Sequence, residues 1–456
     1  MKQGLRRAMA VLFSGAVMLS SFACNSKTPD LPNYEKQDFV LFGFWMPYDR
    51  TKEGFELYKK SGLNTMMFVN HSVTSWTGEK LHYLGSDATK NSLELCKQTG
   101  LDVILNYGYW YKEAVELQSF GKTPFSDYDL YGDYKDIIVG MHIADEPSYD
   151  KIKDFADKTV IDDFKSVYNV PYMVNLYPSY AGNNVIGQYG YKQYVQDYAD
   201  QVLSQFEDNR LLSVDVYPFR ASSKEMHSAW LACYKNFAEV AKDTNSKKSY
   251  YIQTAAGNEF QSEIGLGEIR IQLNVAMAFG ADWFGFYCYE MPRTYLGEGD
   301  AYDPMYNYCM LSDDGTPSPL YYAVQSETAR ISAFSDVYLA YDWVKTVPIT
   351  PAGAKETYAL KLLGNTDFSG TSVESVTADE DTIVGCFAGE QGEAFMVVNY
   401  SEPSENKTST VQMKLAGDGY VAVYGKDSEP EIIKLKKGGL SLELSSGEGR
   451  FITLLS

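Results

Sequence analysis

Between residues 39 and 334 the chain repeats one unit: a short apolar run rich in branched and aromatic residues, then, with one exception, a longer stretch with helical spacing. The apolar runs fall at residues 39–45, 65–70, 101–108, 137–144, 171–177, 211–217, 249–254 and 283–289. Helical stretches lie at 51–62, 87–100, 150–168, 191–206, 224–244, 268–279 and 321–334, and Gly62 and Gly100 close the first two. Buried strands joined through helices pair in parallel with both faces covered, and eight of them fit a closed (β/α)8 barrel better than an open sheet. The predicted fold is therefore α/β, a TIM barrel over residues 37–336.

Helical spacing fades after residue 337. Short alternating runs at 382–388, 393–400, 409–415, 420–424, 431–435, 440–444 and 451–455 take over, separated by Gly, Asp, Ser and Pro clusters at hairpin spacing. This predicts a small all-β sandwich domain over residues 337–456. A chain of 456 residues is too long for one ordinary core, which agrees with two domains.

The amino terminus reads as an address. Lys2, Arg6 and Arg7 precede a mostly apolar stretch, residues 8–19, that is shorter than a membrane span. Ser21, Phe22 and Ala23 then lead into Cys24. The pattern resembles a bacterial lipoprotein signal peptide with its lipobox, from which it departs at bulky Phe22. The resemblance implies removal of residues 1–23, lipidation of Cys24, a tether over 24–36, and export to the cell envelope with acyl chains as the membrane anchor.

Composition excludes several functions. The net charge is −20 and no run of Lys or Arg appears, which argues against a nucleic-acid partner. Cys96, Cys233, Cys288, Cys309 and Cys386 never occur at CxxC spacing, so neither a disulfide framework nor a zinc site is suggested. His71, His82, His142 and His227 have no metal-binding spacing either. No GxSxG elbow and no glycine-rich phosphate loop follows a strand. No metal and no cofactor is expected.

In such a barrel, chemistry collects at the carboxyl ends of the strands. The fourth run, IIVGMHIADEP at residues 137–147, ends in two acids and a proline that cannot extend the ladder. Asp145 also reads as the N-cap of a following helix. The other strand ends supply Trp45, Asn70, His71, Asn106, Tyr107, Trp110, Asn175, Tyr177, Asp215, Tyr217, Gln253 and Glu290. Alternation places His142 inside the barrel, as an orienter of Glu146 or as a satisfied core histidine. Carboxyls, amides and flat aromatic rings together form an inventory suited to a sugar: carboxyls move protons, amides bond hydroxyls, and rings stack on pyranose faces.

The ending GMHIADEP, with DVYP at 215–218, YIQT at 251–254, the stretch from Glu268 to Tyr287, and the terminal GEGRF at 447–451, resembles the large clan of (β/α)8-barrel retaining glycoside hydrolases that includes β-galactosidases and cellulases. The resemblance implies a carbohydrate substrate and an acid/base at Glu146. The clan's neighbour of that acid is Asn, bonding the sugar 2-hydroxyl; here it is Asp145. The clan's nucleophile, a Glu ending strand seven, is replaced by Gln253. Glu259, then Glu290, then Asp215 are the candidates for the second carboxylate. The expectation is a lipid-anchored glycosidase; the alternative is a barrel that binds glycan without cleaving it.

Overall fold

The computed structural model describes residues 29–44, 50–67, 87–106, 132–223, 225–291, 293–294 and 303–455. Trp45, Asn70, His71, Tyr107, Trp110 and Cys24 lie outside them, and of Asn106 only the backbone is described. Eight strands form a closed parallel barrel in chain order: β1 Val40–Phe44, β2 Thr65–Met67, β3 Asp102–Asn106, β4 Ile138–Asp145, β5 Tyr172–Leu176, β6 Leu211–Asp215, β7 Lys247–Gln253 and β8 Trp283–Tyr287. Strand β8 pairs with β1 from Val40↔Trp283 to Phe44↔Tyr287 and closes the ring. Phe42, Ile104, Met173, Leu211, Tyr251 and Trp283 fill the interior, so the barrel is a packed core and not a pore.

Helices between the strands cover the outside: α1 Lys52–Lys60, α2 Asp87–Thr99, α3 Lys158–Val167, α4 Tyr191–Gln201, α5 Trp230–Asp243, α6 Leu266–Ala278 and α7 Pro319–Ser332. Local chemistry sets their starts. Thr51 caps α1 by accepting from Gly54 N, and Ser318 caps α7 by accepting from Leu320 N with Pro319 in the first turn. The stretch predicted as one helix over 150–168 is divided. Asp157 accepts from Thr159 N at 2.8 Å and restarts the helix as α3, leaving a short turn of helix, Ile152–Phe155, ahead of it. The helix expected over 224–244 begins later, at Trp230.

The carboxyl-terminal part has two antiparallel sheets. One orders Tyr341–Ile349, Thr382–Gly389, Gly392–Asn399, Gly449–Leu455, Tyr420–Tyr424 and Glu431–Lys434; the other orders Val373–Ala378, Thr408–Leu415 and Gly439–Ser445. The strands Tyr341–Ile349 and Val373–Ala378 are additions to the seven runs predicted. The first carries Asp342, Lys345 and Pro348, and a bulge at Trp343 breaks its alternation.

Barrel and sandwich share a core. Phe334 and Tyr338 pack on Phe451, and Trp343 donates from Nε1 to Ala278 O at 3.1 Å. Gly385 lies so close to α6 that an added Cβ would stand 2.4 Å from Ala278 O. Glu327, with its side chain 1% exposed, bridges Arg270 at 2.9 Å and Arg330 at 2.7 Å. Arg330 in turn donates to Asn274 Oδ1, whose amide reaches Gly447 O. Removing Glu327 would strand two cations in a largely dry seam, a loss of about 3–5 kcal/mol.

Candidate active site

The ladder between β4 and β5 contains one extra residue. His142 pairs with Met173 and Ala144 with Val174, so Ile143 has no partner. Met141, Ile143 and Ala144 pack outward under the helices, while Met173 belongs to the interior. A bulge of this kind re-aims the side chains that follow it. Asp145 comes into register with Asn175 and turns toward the barrel mouth. Glu146 N then donates to Asn175 O at 2.8 Å, and Glu146 adopts a left-handed φ of 47°. A non-glycine residue held there is strained, and such strain concentrates at functional positions. The result is that two adjacent side chains enter one cavity, instead of pointing to opposite faces.

That cavity measures about 350 Å³ and opens at the carboxyl ends of the strands. Asp145, Glu146, Asp215 and Glu259 line it together with the rings of Phe44, Tyr217, Tyr251 and Tyr287. Asn175 Nδ2 donates to Asp145 Oδ1 at 3.0 Å, and Ser213 Oγ donates to Asn175 Oδ1 at 3.1 Å. The hydroxyl thereby fixes which way the amide faces, and the amide fixes Asp145.

The carboxyls of Glu146 and Asp215 are neighbours in the cavity and act on each other's proton affinity. Burial, the charge of Asp215 and the charge of Asp145 hold the Glu146 carboxyl far above the usual range, in that order of weight. Burial and Asp145 raise Asp215 as well, while Glu146 lowers it. Both carboxyls are raised, Glu146 against the charges of Asp215 and Asp145 together, and the pair titrates as a unit. Asp145 is open to the cavity but otherwise ringed by protein, and this loss of bulk water raises its carboxyl, with the Asn175 bond as a partial offset.

A tight turn brings in Glu259. Gly257 has φ 94° and Asn258 φ 55°, and an added Cβ on Gly257 would stand 2.6 Å from Asn307, so only glycine suits that corner. Ala256 bridges to Tyr308 and Phe260 to Arg220, which folds the segment back over the mouth. Tyr306 Oη donates to Glu259 Oε1 at 2.9 Å. Because that uses the only proton on Tyr306, Tyr287 is the donor in the 3.1 Å contact between the two hydroxyls. Arg220 lies over the rings of Phe260 and Tyr180, 5.4 and 6.0 Å from their centroids, where cation–π attraction holds it.

Asp145, Glu146, Asn175, Tyr177, Asp215, Tyr217 and Glu259 thus meet at one cavity. Three other candidates do not line it. Gln253 is fully buried; its amide donates to Phe219 O and accepts from Phe219 N, so it braces the loop after β6. His142 is 2% exposed, both ring nitrogens lack a hydrogen-bond partner, and burial pushes it down to about 3. It is a neutral core group below the site. Glu290 is buried three residues past β8, away from the cavity wall. Sequence reasoning missed Phe44, Tyr180, Arg220, Tyr251, Tyr287 and Tyr306. Period-two alternation along β1, β7 and β8 carries the signal for Phe44, Tyr251 and Tyr287; the others arrive on loops, where spacing is silent.

No family model matches the chain, and no curated protein matches its sequence. Solved structures match its fold. A glycoside hydrolase family 5 structure from Bacteroides vulgatus aligns with a TM-score of 0.54 at 12% identity, over 92% of this chain and 90% of that one. Another structure, described simply as a glycoside hydrolase, aligns with a TM-score of 0.50 at 12% identity, over 92% and 93%. The (β/α)8 barrel with its β-sandwich is thus a fold this chain has in common with solved glycoside hydrolases over nearly its whole length.

Proposed function

We propose that this chain is a glycoside hydrolase that cleaves an O-glycosidic bond of an oligo- or polysaccharide, with Glu146 as its acid/base. The observation that carries the reading is the meeting of Asp145, Glu146 and Asp215 in one aromatic-walled cavity at the strand ends, where burial and the neighbouring acids raise the Glu146 carboxyl. Cleaving an acetal requires a proton for the departing oxygen, and a carboxyl that stays protonated near neutral pH supplies it. Once Glu146 has given up its proton, its charge stands beside Asp145 and Asp215. That repulsion favours taking a proton back from the incoming water, which is the base half of the cycle. The rings of Tyr177, Tyr180 and Tyr287, half-buried in the cavity wall, suit a pyranose face. Under this reading the enzyme works at the cell envelope, held by acyl chains on Cys24, as the basic and apolar segments before it suggest.

Hydrolysis of a panel of aryl glycosides and polysaccharides by the full chain in detergent tests this, beside Glu146→Gln. Turnover of one substrate that the variant lacks supports the reading, and loss of a general acid costs roughly a hundredfold to ten-thousandfold in rate. Binding of a glycan with no cleavage of any panel member would overturn it in favour of a sugar-binding barrel.

A further inference from the structure

The acids of the cavity are each engaged: Asp215 faces Glu146, Glu259 Oε1 accepts from Tyr306, and Asp145 Oδ1 accepts from Asn175. The end of β7 presents an amide, Gln253, that is spent on Phe219. What sets Asp145 apart is that it is attached to the residue that holds the acid.

Its position says what it meets. Consecutive Cα atoms are about 3.8 Å apart, so with both side chains in one cavity the Asp145 carboxyl lies close to where Glu146 delivers its proton. The proton goes to the oxygen on the sugar's C1. The groups beside C1 are the ring oxygen and the substituent on C2. Asp145 is an acceptor with Oδ1 already bonded to Asn175, and the ring oxygen has no hydrogen to give it. Its partner is therefore the C2 substituent.

Chemistry narrows that substituent. A hydroxyl is served as well by a neutral amide, without a carboxylate crowded against Glu146 and Asp215. An ammonium on C2 would repel the positive charge that grows at C1. An acetamido group fits both demands: its N–H gives Asp145 a donor, and its carbonyl oxygen is a nucleophile already tethered to the substrate.

We infer that the cavity takes a β-linked 2-acetamido-2-deoxyhexoside and that the sugar's own amide is the nucleophile, oriented by Asp145. This rests on the glycosidase reading above. The amide oxygen forms a bond to C1 as the C1–O bond to the leaving group breaks, and Glu146 passes its proton to the departing oxygen. The positive charge left on the amide lies beside Asp145, which holds the N–H. Water then adds to C1 and gives its proton to the Glu146 carboxylate, the ring opens back to the acetamide, and the configuration at C1 is retained. Attack from C2 requires a trans arrangement, hence the β linkage in gluco- or galacto-configured sugars.

The test compares kcat/KM of the full chain on 4-nitrophenyl N-acetyl-β-glucosaminide and N-acetyl-β-galactosaminide with the matching β-glucoside and β-galactoside. N-fluoroacetyl substrates and Asp145→Asn are run alongside. The expected result is cleavage of an N-acetyl substrate about a hundredfold or more faster than its 2-hydroxy counterpart, with rates falling as fluorines weaken the amide oxygen. Asp145→Asn keeps the acceptor for Asn175 but loses the charge, and about a hundredfold in kcat/KM goes with it. Glu146-dependent cleavage of 2-hydroxy glycosides at comparable rates, or rates indifferent to fluorination, would overturn this inference and leave the glycosidase reading standing. Cleavage of no glycoside at all removes both.

Discussion

Asp215, at the end of β6, faces the same cavity as Glu146, at the end of β4, so two strands that are not neighbours in the barrel are coupled through their acids, each raising or lowering the other's hold on a proton. Asp215 is part of what keeps Glu146 protonated, and Asp215→Asn removes that charge. The Glu146 pKa then falls toward the ordinary carboxylate range. Since activity needs the protonated form, the alkaline limb of the kcat/KM profile moves to lower pH, while the acid limb is less affected. A pH–rate series on wild type and variant checks this; an unmoved alkaline limb would mean that the proton is held by burial alone.

Glu402 gives stability a pH dependence. It accepts from Met226 N at 2.6 Å, tying the sandwich to the loop after β6, and burial pushes its carboxyl up to about 7 despite that bond. A carboxyl raised in the folded state makes the unfolded chain the weaker proton binder, so stability falls as pH rises from about 4.5 to 7. Glu402→Gln is expected to raise the melting temperature at pH 8 and to change it little at pH 4. Because the group is partly solvated, the gain is about 1 kcal/mol after discounting for screening. Calorimetry at the two pH values reads it.

Gly385→Ala drives a methyl into the backbone of α6 at Ala278. Neither side can yield without moving a helix or a strand, so a loss of about 1–3 kcal/mol is expected. Since barrel and sandwich share one core, urea unfolding followed by tryptophan fluorescence should show a single transition at a lower midpoint. Two separate transitions would mean that the seam is weaker than its packing implies.

Cys288 and Cys309 lie with their sulfurs 3.1 Å apart and fully buried. Sequence spacing gave no hint of a pair, because 21 positions separate them. Hydrogen peroxide should take two hydrogens from the two thiols, joining them and leaving two waters. Peptide mapping under non-reducing conditions is expected to find that link after mild oxidation and to lose it with dithiothreitol; two capped, unlinked thiols would contradict the geometry.

Cys24→Ser should release the protein from the membrane fraction of a bacterial host. The wild type, labelled with an alkyne fatty acid, should carry the label at that residue. Equal partition of both forms would point to ordinary signal cleavage.

Much of the barrel is legible in the sequence because each strand is a compact apolar run and each helix repeats its apolar face. The strand-end position of Glu146, Asp215 and Asn175 follows from the same pattern. What escapes is anything that one residue decides. Asp157 divides a helix whose spacing looks continuous, and Ile143 adds a unit to β4 that pleat alternation cannot register. Arg220 reaches the cavity, and Tyr306 reaches Glu259, through loop contacts formed only when the chain is folded. Trp343 lies in a strand whose charges and proline disguise it, and what fixes it is contact with α6, far away in sequence.

The unpaired Ile143 has a consequence for how this site can change over generations. A strand counts in twos, and the extra residue shifts that count by one immediately before the two acids. Deleting it would leave the ladder intact on both sides, with Ala144 still opposite Val174 and Asp145 still opposite Asn175, but without the bulge that re-aims the side chains after it. One codon, lost or gained at this place, exchanges one arrangement of acids for another while the fold persists.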